Sequence, residues 1–376
     1  MNTKVNNVLL CLLLLCCINS ALSQKDTITN KLDIYGDFRF RVEHDWNGIY
    51  FDGSEIPDRS RFRIRARMGF EYSLNNKMKI GAQLRTGRLN DQQGPHLTLG
   101  SSPGEFGLFP IGFEKAFFKY SYFKLNLVLG KQSFNFNKQN EIFWNDNVYP
   151  EGITFSTGLL EDVLKLNFAH YVSRSNNNFL WNDNYFQALQ LNFKSSNKSN
   201  SYISYYNFKS HPIFPDFKSR STIDYKIVNL GGSLIFNQLN RIKIGTDLFL
   251  NVKNYDANSI IRNQFKKEKF GAVFLINYGE LETKKDWLFR ISYAFIQKYS
   301  VVDYYAQNDW ARWDYSNVSA AGSRLSNFKG LEIRIGYAIE KNVNLILKTY
   351  FVEQIKEEIE FKEKGNRFRV DLDAKF

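Results

Sequence analysis

Residues 59–72 read Arg-Ser-Arg-Phe-Arg-Ile-Arg-Ala-Arg-Met-Gly-Phe-Glu-Tyr, with arginine alternating with an apolar or small residue. Successive side chains of a β-strand point to opposite faces. Arg59, Arg61, Arg63, Arg65 and Arg67 therefore share one face, and Phe62, Ile64, Ala66, Met68 and Phe70 share the other. The two faces need incompatible surroundings. An arginine on the lipid side of a barrel costs roughly 2–4 kcal/mol at the bilayer midplane, and the whole ladder on the order of ten. One face has to meet water. Like charges about 7 Å apart repel by ~0.6 kcal/mol in water and several-fold more in a drier medium, so the ladder demands a wet or acid-lined cavity.

Residues 1–23 have the layout of a secretory signal: Lys4, an apolar run over residues 8–18, and Ala21-Leu22-Ser23 as a small-x-small site before Gln24. The apolar run is too short for a membrane-spanning helix, which needs ~20 residues. Cys11, Cys16 and Cys17 all lie in this segment, so the expected exported chain, residues 24–376, has no disulfide framework and no cysteine metal site. No Pro/Ser-rich joint or composition shift divides that chain, which predicts one domain. The formal charge is +12, of which the signal supplies one lysine and no acid. A basic exported chain suits anionic solutes, lipopolysaccharide or polysaccharide better than nucleic acid.

Although 43% of the chain is hydrophobic and 16% aromatic, no later stretch offers about 20 consecutive apolar residues for a helical span. Alternation recurs instead. Strands are expected at residues 32–43, 77–89, 114–123, 125–136, 152–159, 163–173, 185–194, 200–209 and 224–236 besides the ladder. Six more are expected at 241–253, 268–279, 286–299, 328–339, 343–354 and 366–376. Short links such as 237–240 and 340–342 alternate with long ones such as 44–58, 90–113, 137–151, 256–267 and 300–327. The pattern predicts an all-β fold: a transmembrane up-and-down antiparallel β-barrel of about sixteen strands (fourteen to eighteen), with short periplasmic turns and long extracellular loops. The last strand opposes Arg367, Arg369, Asp371, Asp373 and Lys375 to Phe368, Val370, Leu372, Ala374 and Phe376. Pairing it with the first strand removes both sheet edges. A soluble β-sandwich would hide the apolar face in a core, but it does not predict alternating loop lengths.

These segments resemble an outer-membrane porin family of Gram-negative bacteria akin to alginate-export-type channels. The likeness rests on Gly36-Asp37-Phe38-Arg39-Phe40-Arg41-Val42-Glu43, the arginine ladder, Glu114-Lys115-Ala116-Phe117, Leu129-Gly130-Lys131-Gln132, and Asn145-Asp146 leading to Pro150-Glu151-Gly152. It spans about residues 32–155. The terminal phenylalanine resembles the signal by which outer-membrane barrels are recognised for insertion. The resemblance implies a channel in the cell outer membrane of a Gram-negative bacterium, monomeric or loosely associated, with a homo-oligomer left open. Gly130-Lys131-Gln132 stands where the family pattern has Gly-Arg-Gln, which keeps the charge but loses a bidentate fork.

The expected pore-lining set is Arg39, Arg41, Arg61, Arg63, Arg65, Arg67, Arg85, Arg367 and Arg369, with Asp37 and Glu43 among them. Asp33, Glu71, Asp371 and Asp373 share that face, so cross-strand pairs neutralise part of it. A fully salt-bridged wall would merely keep the lumen polar; an excess of positive charge would select anions. Barrels near sixteen strands leave an aqueous channel. The expected function is a porin for passive diffusion of small hydrophilic solutes, favouring anionic or polyhydroxy ones. The alternatives are an outer-membrane polysaccharide exporter of the alginate-export type and a plugged barrel acting as adhesin or receptor. One long loop, 90–113 or 300–327, is expected to fold inward. Expected partners are membrane lipid, lipopolysaccharide and small anionic or sugar-like solutes, with no nucleic acid.

Three loops carry aromatic and Asn/Asp clusters: Trp144-Asn145-Asp146-Asn147, Trp181-Asn182-Asp183-Asn184, and Asn308-Asp309-Trp310 followed by Trp313-Asp314. They read as an interfacial aromatic belt beside turn residues or, alternatively, as sugar platforms with calcium-binding oxygens. An enzyme is not expected. His44, His96, His170 and His211 are scattered without ligand spacing, His170 on a lipid-facing position, and Glu357-Glu358 reads as a solvated turn. No metal site or cofactor is expected.

Overall fold

The computed structural model describes residues 31–376 except positions 90, 92, 102–104, 161–162, 176–183, 197, 213–221, 237–241 and 311–325. The expected signal, the turn at 237–240, Trp181 to Asp183, and Trp313-Asp314 lie outside the described residues.

The described residues form sixteen long strands. In chain order they are β1 (Leu32–Ile49), β2 (Arg59–Ser73), β3 (Met78–Thr86), β4 (Ile111–Tyr122), β5 (Leu125–Lys131), β6 (Glu151–Leu159), β7 (Leu164–Arg174) and β8 (Asn184–Ser196). Then follow β9 (Ser199–Pro212), β10 (Thr222–Phe236), β11 (Ile242–Asn251), β12 (Phe270–Tyr278), β13 (Trp287–Ile296), β14 (Phe328–Glu340), β15 (Val343–Gln354) and β16 (Lys364–Lys375). Each pairs antiparallel with its neighbours in sequence, and β16 returns to β1, so the sheet closes as a barrel. Two-residue strands at Glu55–Ile56 and Leu97–Thr98 pair with the long-loop ends of β1 and β2.

Closure follows the sequence alternation. Phe62, Met68 and Phe70 are 56%, 58% and 40% exposed on the outside, while the arginines between them face the interior. At the seam the Gly36 and Phe376 backbones exchange two hydrogen bonds of 3.1 Å. The Phe376 ring also fills the space above Gly36, where a Cβ would stand 2.5 Å from its Cζ. The aromatic thus covers a strand position that has no side chain.

The expected strand boundaries need correction at several ends. β1 runs on to Ile49, past residue 43, whereas β3 stops at Thr86. The largest difference is at β5, which ends at Lys131 and not at residue 136. Gly130 (φ 107°) faces Gly152 (φ 152°) there, and the chain then leaves the wall. Phe134 and Phe136 keep a period of two, but they spend it inside the barrel, so alternation alone could not mark the strand end.

Candidate solute pathway

The interior is partly filled. Residues 132–150 and 297–310 fold inward, and their apolar side chains pack against the inner faces of β7–β11. Phe134 stacks on Trp144 at 4.4 Å, Trp144 on Tyr305 at 4.6 Å, and Phe143 on Tyr206 at 4.3 Å. Each such side chain contributes roughly 1.5–3 kcal/mol by burial. Two wall residues hold the backbone of the first segment. Asp247 accepts from the Gln139 N–H at 2.8 Å, Asn140 Nδ2 at 2.7 Å and Tyr202 OH at 2.6 Å. Gln190 accepts from the Asn137 N–H at 2.9 Å and donates to its carbonyl at 3.0 Å.

A third loop joins them. Gln93 donates to the Tyr304 carbonyl at 2.7 Å and accepts from Asn145 Nδ2 at 2.9 Å, while the Asn145 N–H donates to the Tyr305 carbonyl at 2.8 Å. Where one inward loop was expected from 90–113 or 300–327, residues 93–98 of the first and 300–310 of the second turn inward together with 132–150, while Phe106 and Leu108 of the first stay exposed. The sequence signal was the apolar density of Phe134, Phe136, Ile142, Phe143, Trp144 and Val148, too high for a solvated link.

The other side of the interior is charged. On β1, Arg39 lies between Arg65 and Asp373, Arg41 between Arg63 and Asp371, and Glu43 between Arg61 and Arg369. This register makes the pairs. Arg39 binds Asp373 through Nε and Nη2 at 2.5 and 2.7 Å, and Arg41 binds Asp371 likewise at 2.6 and 2.8 Å. Glu43 is engaged by Arg369 at 2.6 Å and by Arg61. Arg65 donates to Asp37 at 2.8 Å, and Arg67 meets Glu114 at 2.8 Å. Sequence reading placed Asp37, Glu43, Asp371 and Asp373 on the arginine face. It missed Glu114 at a register shift of β4, Asp45 pairing with Arg367 at 2.5 Å, and Asp309, which reaches Arg369 from the inward segment.

Between the arginine wall and the inward loops lies a cavity of about 550 Å³. Arg39, Arg41, Arg61, Arg63, Arg65, Arg67, Arg369 and Asp37 of the expected set line it. Arg85, Arg367 and Glu43 face the interior but lie outside that lining. Arg85 is held by the Asp91 carbonyl and Glu114, Arg367 by Asp45 and the Asp309 carbonyl, and Glu43 is enclosed by arginines. Glu141, Asp146 and Asp309 reach the cavity from the inward segments. A second cavity of about 270 Å³ shares Glu141, Asp146 and Arg334 with the first and continues toward Arg290 and Glu332.

The loop groups feel this field. Burial and then Arg41, Arg39, Arg65 and Arg63 hold the His96 imidazole well below its ordinary value. Burial alone would raise Asp309, but Arg369, Arg41 and Lys348 outweigh it and keep its carboxyl far below the carboxylate range. Burial, with Asp146 nearby, pushes Glu141 up.

Of the expected loop clusters, Asp146 and Asn147 and Asn308 and Asp309 meet at the cavity, whereas the tryptophans, His44, His170 and Glu358 do not gather there. Trp144 and Trp310 are 2% and 3% exposed inside the barrel, so they belong neither to an interfacial belt nor to an open sugar platform. His44 stacks on Trp46 and contacts Ser60 Oγ at 2.9 Å; His170 stands on the outer face of β7 beside Gln187. The side chain of His211 lies outside the description. Glu358 is buried, not solvated, and accepts from Lys298 at 2.5 Å. Among the described residues no group of three His, Cys, Asp or Glu side chains is placed to hold a metal ion.

Residues 54–211 match the family model described as "Putative porin". No curated protein sequence matches. Among solved structures, Salmonella typhi OmpF in complex with daunomycin is 13% identical, covering 92% of this chain and 98% of that one with a TM-score of 0.54. A triple mutant of Rhodopseudomonas blastica porin is 10% identical, covering 91% and 99% with a TM-score of 0.53. Acinetobacter baumannii OccAB4 is 11% identical, covering 93% and 100% with a TM-score of 0.51. At these identities the likeness establishes the fold, which is that of Gram-negative porins. Fold and family match together indicate an outer-membrane protein and a channel in preference to an enzyme.

Proposed function

We propose that the protein is an outer-membrane porin through which small hydrophilic solutes diffuse passively, with preference for anionic solutes and for polyhydroxy solutes that carry an acid group. The observation that supports this is the cavity lining, where twelve Lys and Arg side chains face six Asp and Glu. Glu43, Asp45, Glu114, Glu332 and Asp371, just behind the lining, pair with part of this excess, and the basic excess that remains concentrates anions while orienting them toward the ladder. A volume of about 550 Å³ is in the range of small-molecule sites. Single-channel recordings with added glucuronate or glucose test the reading. Glucuronate should interrupt the current at lower concentration than glucose; equal potency would sink the acid preference.

A second reading, the plugged barrel acting as adhesin or receptor, draws support from the three linked inward loops. It predicts no conductance steps. The alginate-export-type reading uses the same wall and predicts block by oligomeric uronates far stronger than by the monomer.

A further inference from the structure

The outer face of β7–β10 carries a feature that the solute pathway does not use. His170 lies opposite Gln187, Gln187 opposite Asn207, and Asn207 opposite Lys226, so four adjacent strands place a polar side chain in one row. The row faces lipid. Phe168, Leu189 and Tyr205, two positions along their strands, are 41%, 43% and 39% exposed, whereas Tyr171, Phe186 and Tyr206 on the opposite parity are buried. The neutral members are tied together: Gln187 Nε2 is 3.2 Å from His170 Nδ1, and Asn207 Nδ2 donates to Gln187 Oε1 at 3.3 Å. Exposed Lys209 stands two positions beyond Asn207 toward the long-loop end, its Nζ 5.4 Å from the Tyr185 ring.

Amides and ammonium groups facing hydrocarbon are costly unless a polar partner meets them. The mutual bonds serve His170, Gln187 and part of Asn207. The ammonium groups of Lys209 and Lys226 call for an anion that comes with an apolar body. We infer that this ledge binds a phosphorylated, acylated glycolipid of the outer leaflet. Its phosphate lies against Lys209 and Lys226, its sugar hydroxyls meet Asn207, and its acyl chains lie on Phe168, Leu189 and Tyr205. Charge complementarity selects this occupant. Asp224, two residues from Lys226, binds Lys253 at 3.0 Å and the Ser210 N–H at 2.9 Å and also attracts Lys209, so one carboxylate is shared among three lysines and the ledge keeps a positive excess. The inference concerns the outer wall and stands whether or not the lumen conducts.

The test is native mass spectrometry of the purified protein in nanodiscs, titrated with bis-phosphorylated lipid A, with its dephosphorylated form, and with phosphatidylglycerol. Bis-phosphorylated lipid A should be retained over both others. Lys209→Gln with Lys226→Gln should lower its apparent affinity about tenfold or more, while Lys329→Gln on the outer end of β14 should not. An unchanged heat-modifiable gel shift in these variants reports an intact barrel. Equal retention of the dephosphorylated form or of phosphatidylglycerol would overturn the inference. So would an equal loss in Lys329→Gln, or protection of the ledge by a second copy in cross-linking.

Discussion

Arg41 on β1 and Asp371 on β16 stand opposite each other and form a two-pronged ion pair at 2.6 and 2.8 Å, both residues buried. The pair crosses the seam at which the first and last strands close the barrel. Removing one partner leaves an uncompensated buried charge, which costs about 3–5 kcal/mol. Asp371→Ala should therefore lower the temperature of unfolding in heat-modifiability gels. Replacing both residues with leucine should recover part of the loss; a double variant no better than the single would contradict the assignment.

The inward fold of 132–150 depends on Asp247, whose carboxylate accepts from Gln139, Asn140 and Tyr202. A hydrogen bond to a charged group contributes about 1.5–3 kcal/mol, so Asp247→Leu should release the segment. Current steps should become larger and noisier, and protease should cut within 132–150. Wild-type conductance together with wild-type protease resistance would show that the aromatic packing suffices.

The two loop groups respond differently to acid. His96 is held below its ordinary 6.5, so the unfolded chain takes up a proton there that the folded chain refuses. Its contribution is full above 6.5 and is lost as pH falls toward the depressed native value, with a slope no steeper than about 1.4 kcal/mol per pH unit. Asp309 is depressed below its ordinary 3.8, so its contribution is present above that value and is lost only in stronger acid. Between pH 7 and 5 the barrel should lose stability, and His96→Gln should flatten that dependence while Asp309→Asn should not. Melting curves at three pH values decide it.

At the seam, a Cβ on Gly36 would stand 2.5 Å from both the Arg67 carbonyl oxygen and the Phe376 ring. Gly36→Val should cost about 1–3 kcal/mol and slow assembly in refolding followed by gel shift. Assembly at the wild-type rate would mean that the ring moves aside freely.

The wall was legible in the sequence because period-two alternation and barrel burial are the same rule, read at Arg61, Phe62 and Arg63. Strand pairing was legible because up-and-down order follows chain order. The interior was harder to read. Trp144 and Phe134 sit in a link between strands whose apolar density argues against a solvated loop but does not distinguish one that turns into the lumen from one lying at the membrane surface. Asp309 and Glu114 were missed for a related reason. One reaches the ladder from a loop and the other from a register shift, and neither follows from parity along a strand.

Whether the arginine wall makes an anion-selective pore is read from the reversal potential of the purified protein in a planar bilayer under a potassium chloride gradient. Open steps are expected with a potential displaced toward that of chloride, and the displacement should shrink when Arg61, Arg63 and Arg65 are changed to glutamine. A potential at zero or displaced toward that of potassium would contradict it, as would the same displacement in the triple variant.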